Sequence, residues 1–215
     1  MTMKRVTLTF DNGPDPDVTP RVLDVLRDQD VPSHFFVLGK HIAMPWGRAC
    51  VERARNEGHI VSNHSYTHEV PLGEDTSTEA VAREIVATEA LLAPLGLGAR
   101  RFRPFGGGGK IGPHLFSKAA LSHLEAERYT CIVWNAVPRD WIDPDWMQTA
   151  LVQCEALDHA VVVVHDIANA SLASLPAFIK EIRARGWELT QDLPDDCVPM
   201  KSGTSAPAIV GMTAG

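Results

Sequence analysis

Short apolar stretches rich in β-branched and aromatic residues recur along the chain at 6–10, 34–38, 59–62, 129–134 and 160–165. Their length and composition predict strands, several of them buried on both faces. Ala160-Val161-Val162-Val163-Val164 is the clearest. Between them run longer segments with helical spacing. Thr19-Pro20 ahead of Val22, Leu23 and Leu26 predicts a helix with Thr19 as N-cap and proline in the first turn. A second helix, 49–56, stops at Gly58. Thr76-Ser77-Thr78-Glu79 opens a third, which carries Val81, Ile85 and Leu91-Leu92. Segments 115–127, 146–157 and 172–185 supply three more, the last ending at Gly186.

Strand followed by helix, repeated about seven times, predicts a parallel α/β sheet or barrel. No GxGxxG or Walker loop follows the first strand, which argues against a nucleotide fold. In a parallel barrel, chemistry gathers at the C-terminal ends of strands. Asp11, His64, Arg103 and His165 each end or directly follow an apolar segment.

Length and composition narrow this picture. The 215 residues suit one domain, 1–200, followed by a small, polar, Pro- and Gly-bearing tail, 201–215, expected to be disordered. A net charge of -7 argues against nucleic-acid and anionic-membrane partners. No apolar run reaches membrane-spanning length, and 1–5 leads straight into the first strand without a secretory signal, so the expected location is the cytoplasm. Cys50, Cys131, Cys154 and Cys197 form no C-x-x-C pair and read as reduced thiols; two disulfides stay open for an exported chain.

Taken singly, each chemical motif has a plain alternative. His64-Ser65-Tyr66-Thr67-His68 sets two imidazoles four residues apart, which suits one cation or a pair of surface histidines. Asp11-Asn12-Gly13-Pro14 is also ordinary turn chemistry. Arg103-Pro104-Phe105-Gly106 runs into glycines up to Gly109, where backbone N–H groups could approach a ligand. His165-Asp166 ends the valine strand as either a core residue or an acid/base pair.

In this order the motifs resemble the polysaccharide deacetylase family, the NodB-homology domain of carbohydrate esterase family 4. Thr9-Phe10-Asp11-Asn12-Gly13-Pro14, His64-Ser65-Tyr66-Thr67-His68, Arg103-Pro104-Phe105-Gly106, Asp140-Trp141 and Val163-Val164-His165-Asp166 match its five motifs. Val31-Pro32-Ser33-His34-Phe35-Phe36-Val37-Leu38-Gly39 also follows its second strand, and the resemblance spans roughly residues 5 to 190. It implies a distorted (β/α) barrel of about seven parallel strands and metal-dependent removal of acetyl groups, N-acetyl before O-acetyl, from a carbohydrate such as an N-acetylglucosamine oligomer. It further implies a divalent metal, zinc first and cobalt, nickel or manganese as alternatives.

The roles the resemblance implies are distinct. Asp11 is the general base for a metal-bound water, and Arg103 pairs with it. Asn12, His64 and His68 are metal ligands. His165 is the general acid, oriented and charged by Asp140. Trp141 and Val163 wall the acetyl pocket, and the Phe105 backbone N–H stabilises the oxyanion. One departure matters. The family has a second aspartate where this chain has Asn12, so the site loses a negative charge and the metal is expected to be weakly bound. That leaves three readings open: an active deacetylase, a carbohydrate-binding pseudoenzyme, and a same-fold hydrolase of a non-sugar amide. The lack of a separate carbohydrate-binding module favours a soluble oligosaccharide over an insoluble polymer. His34 reads as core, Asp15 and Asp17 as loop residues, and His41, His59, His114, His123 and His159 as structural or exposed.

Overall fold

In the computed structural model, which describes residues 3–75 and 77–215, the strand-then-helix rhythm becomes one sheet. The elements are β1 (Arg5–Asp11), α1 (Thr19–Asp28), β2 (His34–Val37), α2 (Gly39–Ile42), α3 (Pro45–Asn56) and β3 (Ile60–Asn63). Next come α4 (Thr78–Val81), α5 (Ala87–Leu92), β4 (Arg101–Phe102), α6 (Lys118–Ala126), β5 (Thr130–Cys131), α7 (Trp146–Glu155) and β6 (His159–His165). The chain finishes with α8 (Leu175–Ala184), β7 (Glu188–Leu189), β8 (Met200–Lys201) and β9 (Thr204–Ser205).

The sheet order is β6-β1-β2-β3-β4-β5-β8-β9, with β7 beside β1. Strands β1 to β7 pair in parallel, which is the expected seven. β2 takes Thr9 to Asp11 on one edge of β1, and β7 takes Arg5 and Val6. The curl comes close to closing between β5 and β6. There Ala136 bridges Val162 alone, and the Asn135 side chain stands in for a peptide. It donates to the His159 carbonyl at 3.0 Å and accepts from the Val161 N–H at 2.7 Å. The result is a distorted, parallel-rich half-barrel.

Burial explains the apolar runs. Along β6, Ala160, Val162 and Val164 face one core cluster while Val161 and Val163 face the other. A strand covered on both sides has no polar face, so it reads as an unbroken valine run. Outside the sheet, α8 buries Leu175, Phe178, Ile179 and Ile182 at helical spacing. β1 differs: Val6, Leu8 and Phe10 go to the core, while the alternate residues Thr7, Thr9 and Asp11 form a buried polar row.

Four sequence expectations need correction. Thr19 does not cap α1; Val18 precedes the helix, and the Asp15 carboxylate accepts from the Asp17 and Val18 N–H groups. The helix expected from residue 115 starts at Lys118, because the Ser117 hydroxyl accepts from the Ala120 N–H and sets the start there. The strand expected over 129–134 keeps only Thr130 and Cys131 in the ladder, since Val133 turns to the Cys197 carbonyl. Residues 201–215 are folded: a short hairpin and a 3-10 turn, Pro207–Met212, bury Ile209 and Met212 against the second core cluster. Two apolar anchors in a polar segment suffice, because Phe116 exchanges backbone bonds with Met212 and Ala214. Ser77 caps α4, and Thr76, read as part of that start, lies outside the described residues.

Candidate active site

Period-two alternation carries the polar row of β1 to Asp11, and the inner row of β6 through Val161 and Val163 to His165. Asp11 and His165 are register partners across β1 and β6, so the two side chains emerge next to each other. His64 follows β3 and Arg103 follows β4. These ends surround a cavity of about 290 Å³ lined by Asp11, Asn12, His64, His68, Phe105, Trp141, Val163 and His165, with glycines 106–109 at its mouth.

Two buried hydrogen-bonded charge pairs are built here. Arg103 is fully buried; one guanidinium nitrogen donates to Asp11 Oδ1 at 2.8 Å and to the Thr9 hydroxyl at 2.7 Å. The other donates to the Val133 carbonyl at 3.3 Å, and the cation lies 3.8 Å over the Phe36 ring. Burial lowers the Arg103 pKa and the Asp11 charge opposes that fall. In the second pair Asp140 holds His165 twice, accepting from its backbone N–H at 2.8 Å and from Nδ1 at 2.7 Å. Burial disfavours the imidazolium, but the Asp140 hydrogen bond and charge, with Asp11 and Asp166 behind them, outweigh it. The His165 pKa therefore stands above 6.5. With Nδ1 bound to Asp140, Nε2 is left for the cavity. Asp166 is not part of this pair. Its Oδ2 accepts from the Thr19 hydroxyl, and it packs under Gly13, where any Cβ would lie 2.1 Å from the carboxylate.

The third group is neutral. His64 Nδ1 lies 2.9 Å from the Arg103 carbonyl, which can only accept, so Nδ1 carries the proton and the Nε2 lone pair is free. That Nε2 is 3.5 Å from Asp11 Oδ2. Burial lowers the His64 pKa and pushes that of His68 down to about 2, with His64 as the next cause. The two rings sit 5.0 Å apart, and Phe105 covers His68 at 3.7 Å. Asn12 takes a left-handed φ of 71°, and its Oδ1 is buried with no hydrogen-bond partner. Among the described residues no three His, Cys, Asp or Glu side chains form a metal-ligand set. The Asn12 amide lines the same cavity as this histidine pair.

All ten residues singled out in the sequence lie in or directly behind this one cavity: Asp140 behind His165 and Arg103 behind Asp11, the rest on its wall. His34 is core, as expected, its Nε2 bonded to the Gln191 carbonyl. Sequence reasoning missed Trp134, Val137 and Ile167, which also line the cavity. Trp134 donates its indole N–H to the Gly109 carbonyl at 2.8 Å. Its ring also lies where a Cβ on Gly106 would come within 2.3 Å, so only glycine fits there. A tryptophan at the end of an apolar run gives no sequence signal that separates a pocket wall from core.

The Polysaccharide deacetylase family model matches residues 1–110. The peptidoglycan-N-acetylglucosamine deacetylase PgdA of Listeria monocytogenes is 34% identical over 191 residues, 87% of this chain. The chain spans only 38% of the length of that relative. The chitooligosaccharide deacetylase of Rhizobium leguminosarum bv. trifolii is 31% identical over 204 residues, covering 86% of this chain and 89% of that protein. A family 4 acetyl xylan esterase from Clostridium thermocellum, solved with a cobalt ion, superposes with a TM-score of 0.70 at 25% identity, over 87% of each chain. No helix among the described residues is long and apolar enough to cross a membrane. The chain belongs to the polysaccharide deacetylase family.

Proposed function

We propose that the chain is a hydrolase that removes N-acetyl groups from an N-acetylglucosamine-containing saccharide. The observation that carries this reading is the pairing at the ends of β1 and β6. A carboxylate fixed by a buried arginine stands beside an imidazole charged by a second carboxylate, both on one cavity. Amide hydrolysis needs a base to take a proton from water and a separate acid to give one to the leaving nitrogen. Asp11, with Arg103 bound to one oxygen, is the base. His165, protonated on Nε2, is the acid, and Asp140 keeps the ring turned and charged. Trp141 stands edge-on to His165 at 4.9 Å and with Val163 walls the space for a methyl group. The Phe105 backbone N–H, at the start of the glycine loop, is the oxyanion donor. The names of the relatives above support the sugar amide over a non-sugar one.

The donor set also fits a divalent metal. Asn12 Oδ1 is a buried acceptor without a partner, and His64 and His68 are neutral with nitrogen lone pairs to give. Asn12, His64 and His68 would hold the ion, zinc first by the imidazole ligands, with cobalt an alternative given the esterase above. Bound there, it would polarise the acetyl carbonyl and lower the pKa of a water toward about 7. An amide in place of a carboxylate makes the ion weakly held.

Acetate release from chitooligosaccharides, with zinc or cobalt added and after chelation, tests the reading. Release that depends on the ion and disappears in Asp11→Asn is the expected result. No release by the wild type, but release by Asn12→Asp, would favour a carbohydrate-binding pseudoenzyme instead.

A further inference from the structure

Glu84 takes no part in the chemistry above, yet the residue is only 3% exposed. It sits in a π turn, Ala82–Val86, that joins α4 to α5. Such single turns widen a helix locally and are frequent beside functional sites. Here the turn aims Glu84 at the loop between His64 and His68. Glu84 Oε2 accepts from the backbone N–H of Tyr66 at 3.0 Å and of Thr67 at 2.8 Å. Its Oε1 accepts from the Thr67 hydroxyl and from Arg83 Nε, both at 2.8 Å.

The other side of that loop is held by different groups. The Gly39 and Lys40 N–H groups donate to the Ser65 and Tyr66 carbonyls, and the Lys40 ammonium donates to the Thr67 carbonyl. So α2 grips the carbonyls, and Glu84 grips the amides. Ser65, at φ 73°, and His68, at φ 58°, bracket the two amides in left-handed conformations. Non-glycine residues stay there only when neighbouring bonds hold them. His64 has the Arg103 carbonyl to fix its ring, but His68 makes no side-chain hydrogen bond among the described residues. The His68 ring is therefore placed by the Phe105 ring packed on it and by its own backbone, whose amide side is held by Glu84.

We propose that Glu84 is a positioning residue that holds His68 in place for a divalent cation by strapping the amide side of the His64–His68 loop to the π turn. The inference rests on the metal reading of the site. Cobalt titration of the full chain, read by visible absorption, and zinc affinity from chelator competition test it together. Glu84→Ala should weaken zinc by about 10- to 100-fold, the usual cost of losing an outer support, and should alter the cobalt spectrum. Glu84→Gln should recover most of the affinity, since its oxygen can accept both amides and its NH2 can donate to the Thr67 hydroxyl, only the bond from the half-exposed Arg83 being lost. In a His68→Ala background, Glu84→Ala should cost nothing further, because both act through one ligand. Unchanged affinity in Glu84→Ala, or equal losses with and without His68, would overturn the inference. If Glu84→Ala does not fold, Glu84→Asp, one methylene too short, enters the same cycle. Wild type that takes up neither ion sinks the metal reading and this inference with it. Wild type that binds while Glu84 variants bind equally well sinks the inference alone.

Discussion

The two halves of the cavity are finished to different degrees. On the β1–β6 side each reacting group is bonded: Asp11 to Arg103, Arg103 to Thr9 and Val133, and His165 to both oxygens of Asp140. On the loop side Asn12 Oδ1 has no partner, His68 no side-chain hydrogen bond among the described residues, and both residues sit at positive φ. A buried, unpaired acceptor costs roughly 1–3 kcal/mol, and left-handed non-glycine residues add to that. Most polar groups of the first half are paired within the protein, Arg103 Nε excepted, whereas the second keeps an open acceptor where the proposed metal site needs one. Acid–base geometry can be set by the protein alone; a ligand set is set only up to its occupant.

The strongest attack on this comparison is His165→Ala. General acid catalysis is worth about 10²- to 10⁴-fold, so kcat on a chitooligosaccharide should fall by that much while zinc affinity barely moves. A pH profile gives the sign. As the proposed acid His165 must be protonated, and its pKa lies above 6.5, so activity should fall as pH rises through that pKa. Asp140→Asn should move this basic limb to lower pH, because the partner that raises the pKa is gone. A basic limb that stays put in Asp140→Asn would show that the pair is not what charges His165. Stability follows the same linkage. The native state binds this proton more tightly, so the contribution is complete below about 6.5 and is lost as pH rises through the folded pKa.

The finished half was also the legible half. Asp11 and His165 end strands whose apolar runs are unmistakable, and period-two alternation decides which face they take. The fold was readable for the same reason, since a strand buried on both faces leaves no ambiguity in Val161-Val162-Val163-Val164. The loop half was less so. His64 and His68 show by spacing, but nothing local says that a residue some 16 positions beyond His68 supports them. One signal was available: Glu84 adjoins Ile85 on the face that also buries Ala80, Val81 and Thr88, where a carboxylate has no business without a partner. The C-terminal segment misled because composition counts polar residues, whereas folding there turns on two apolar ones, Ile209 and Met212.

Asp166 follows His165 in the chain but is not hydrogen-bonded to its ring. It is fully buried, Oδ1 has no partner, and burial pushes its carboxyl up to about 6. The folded pKa exceeds the unfolded 3.8, so stability should fall as pH rises from about 3.8 to 6, and ionisation above that costs about 3 kcal/mol. Asp166→Asn, which keeps an acceptor for Thr19, should therefore stabilise the protein by up to about 3 kcal/mol at pH 8 and by little at pH 4. Urea unfolding at the two pH values measures this. A loss of stability at pH 8 would mean that the charge has a partner after all.

On the unfinished half, Asn12→Asp should raise zinc affinity by about tenfold or more. Opposite charges at 4 Å are worth several kcal/mol even at an effective dielectric of about 20, and each 1.4 kcal/mol is a factor of ten. The same change puts a second carboxylate beside Asp11, so the ion-free protein should melt lower than wild type, and added zinc should reverse the order. Melting curves with chelator and with zinc test both signs. Equal affinity for the two forms would show that the position of residue 12 does not face the ion.

The smallest expected effect belongs to the cavity mouth, where the two halves meet. Trp134 ties the glycine loop down through its N–H to the Gly109 carbonyl and sets the Cζ2–Cη2 edge of its ring against Gly106, while His114 Nε2 is 3.1 Å from the Gly106 carbonyl. Trp134→Phe removes one hydrogen bond and part of that surface. A single hydrogen bond is worth about 1 kcal/mol, or roughly a fivefold change. The indole N–H belongs to neither buried pair, and Phe keeps an aromatic ring toward the Arg103 cation, which lies 5.8 Å from the Trp134 ring, so the loss should appear in KM for the saccharide, with kcat and the basic pH limb unchanged. A fall in kcat of the same size would mean that the loop shapes the reacting centre as well as the mouth, and that the Phe105 N–H depends on Trp134 for its aim.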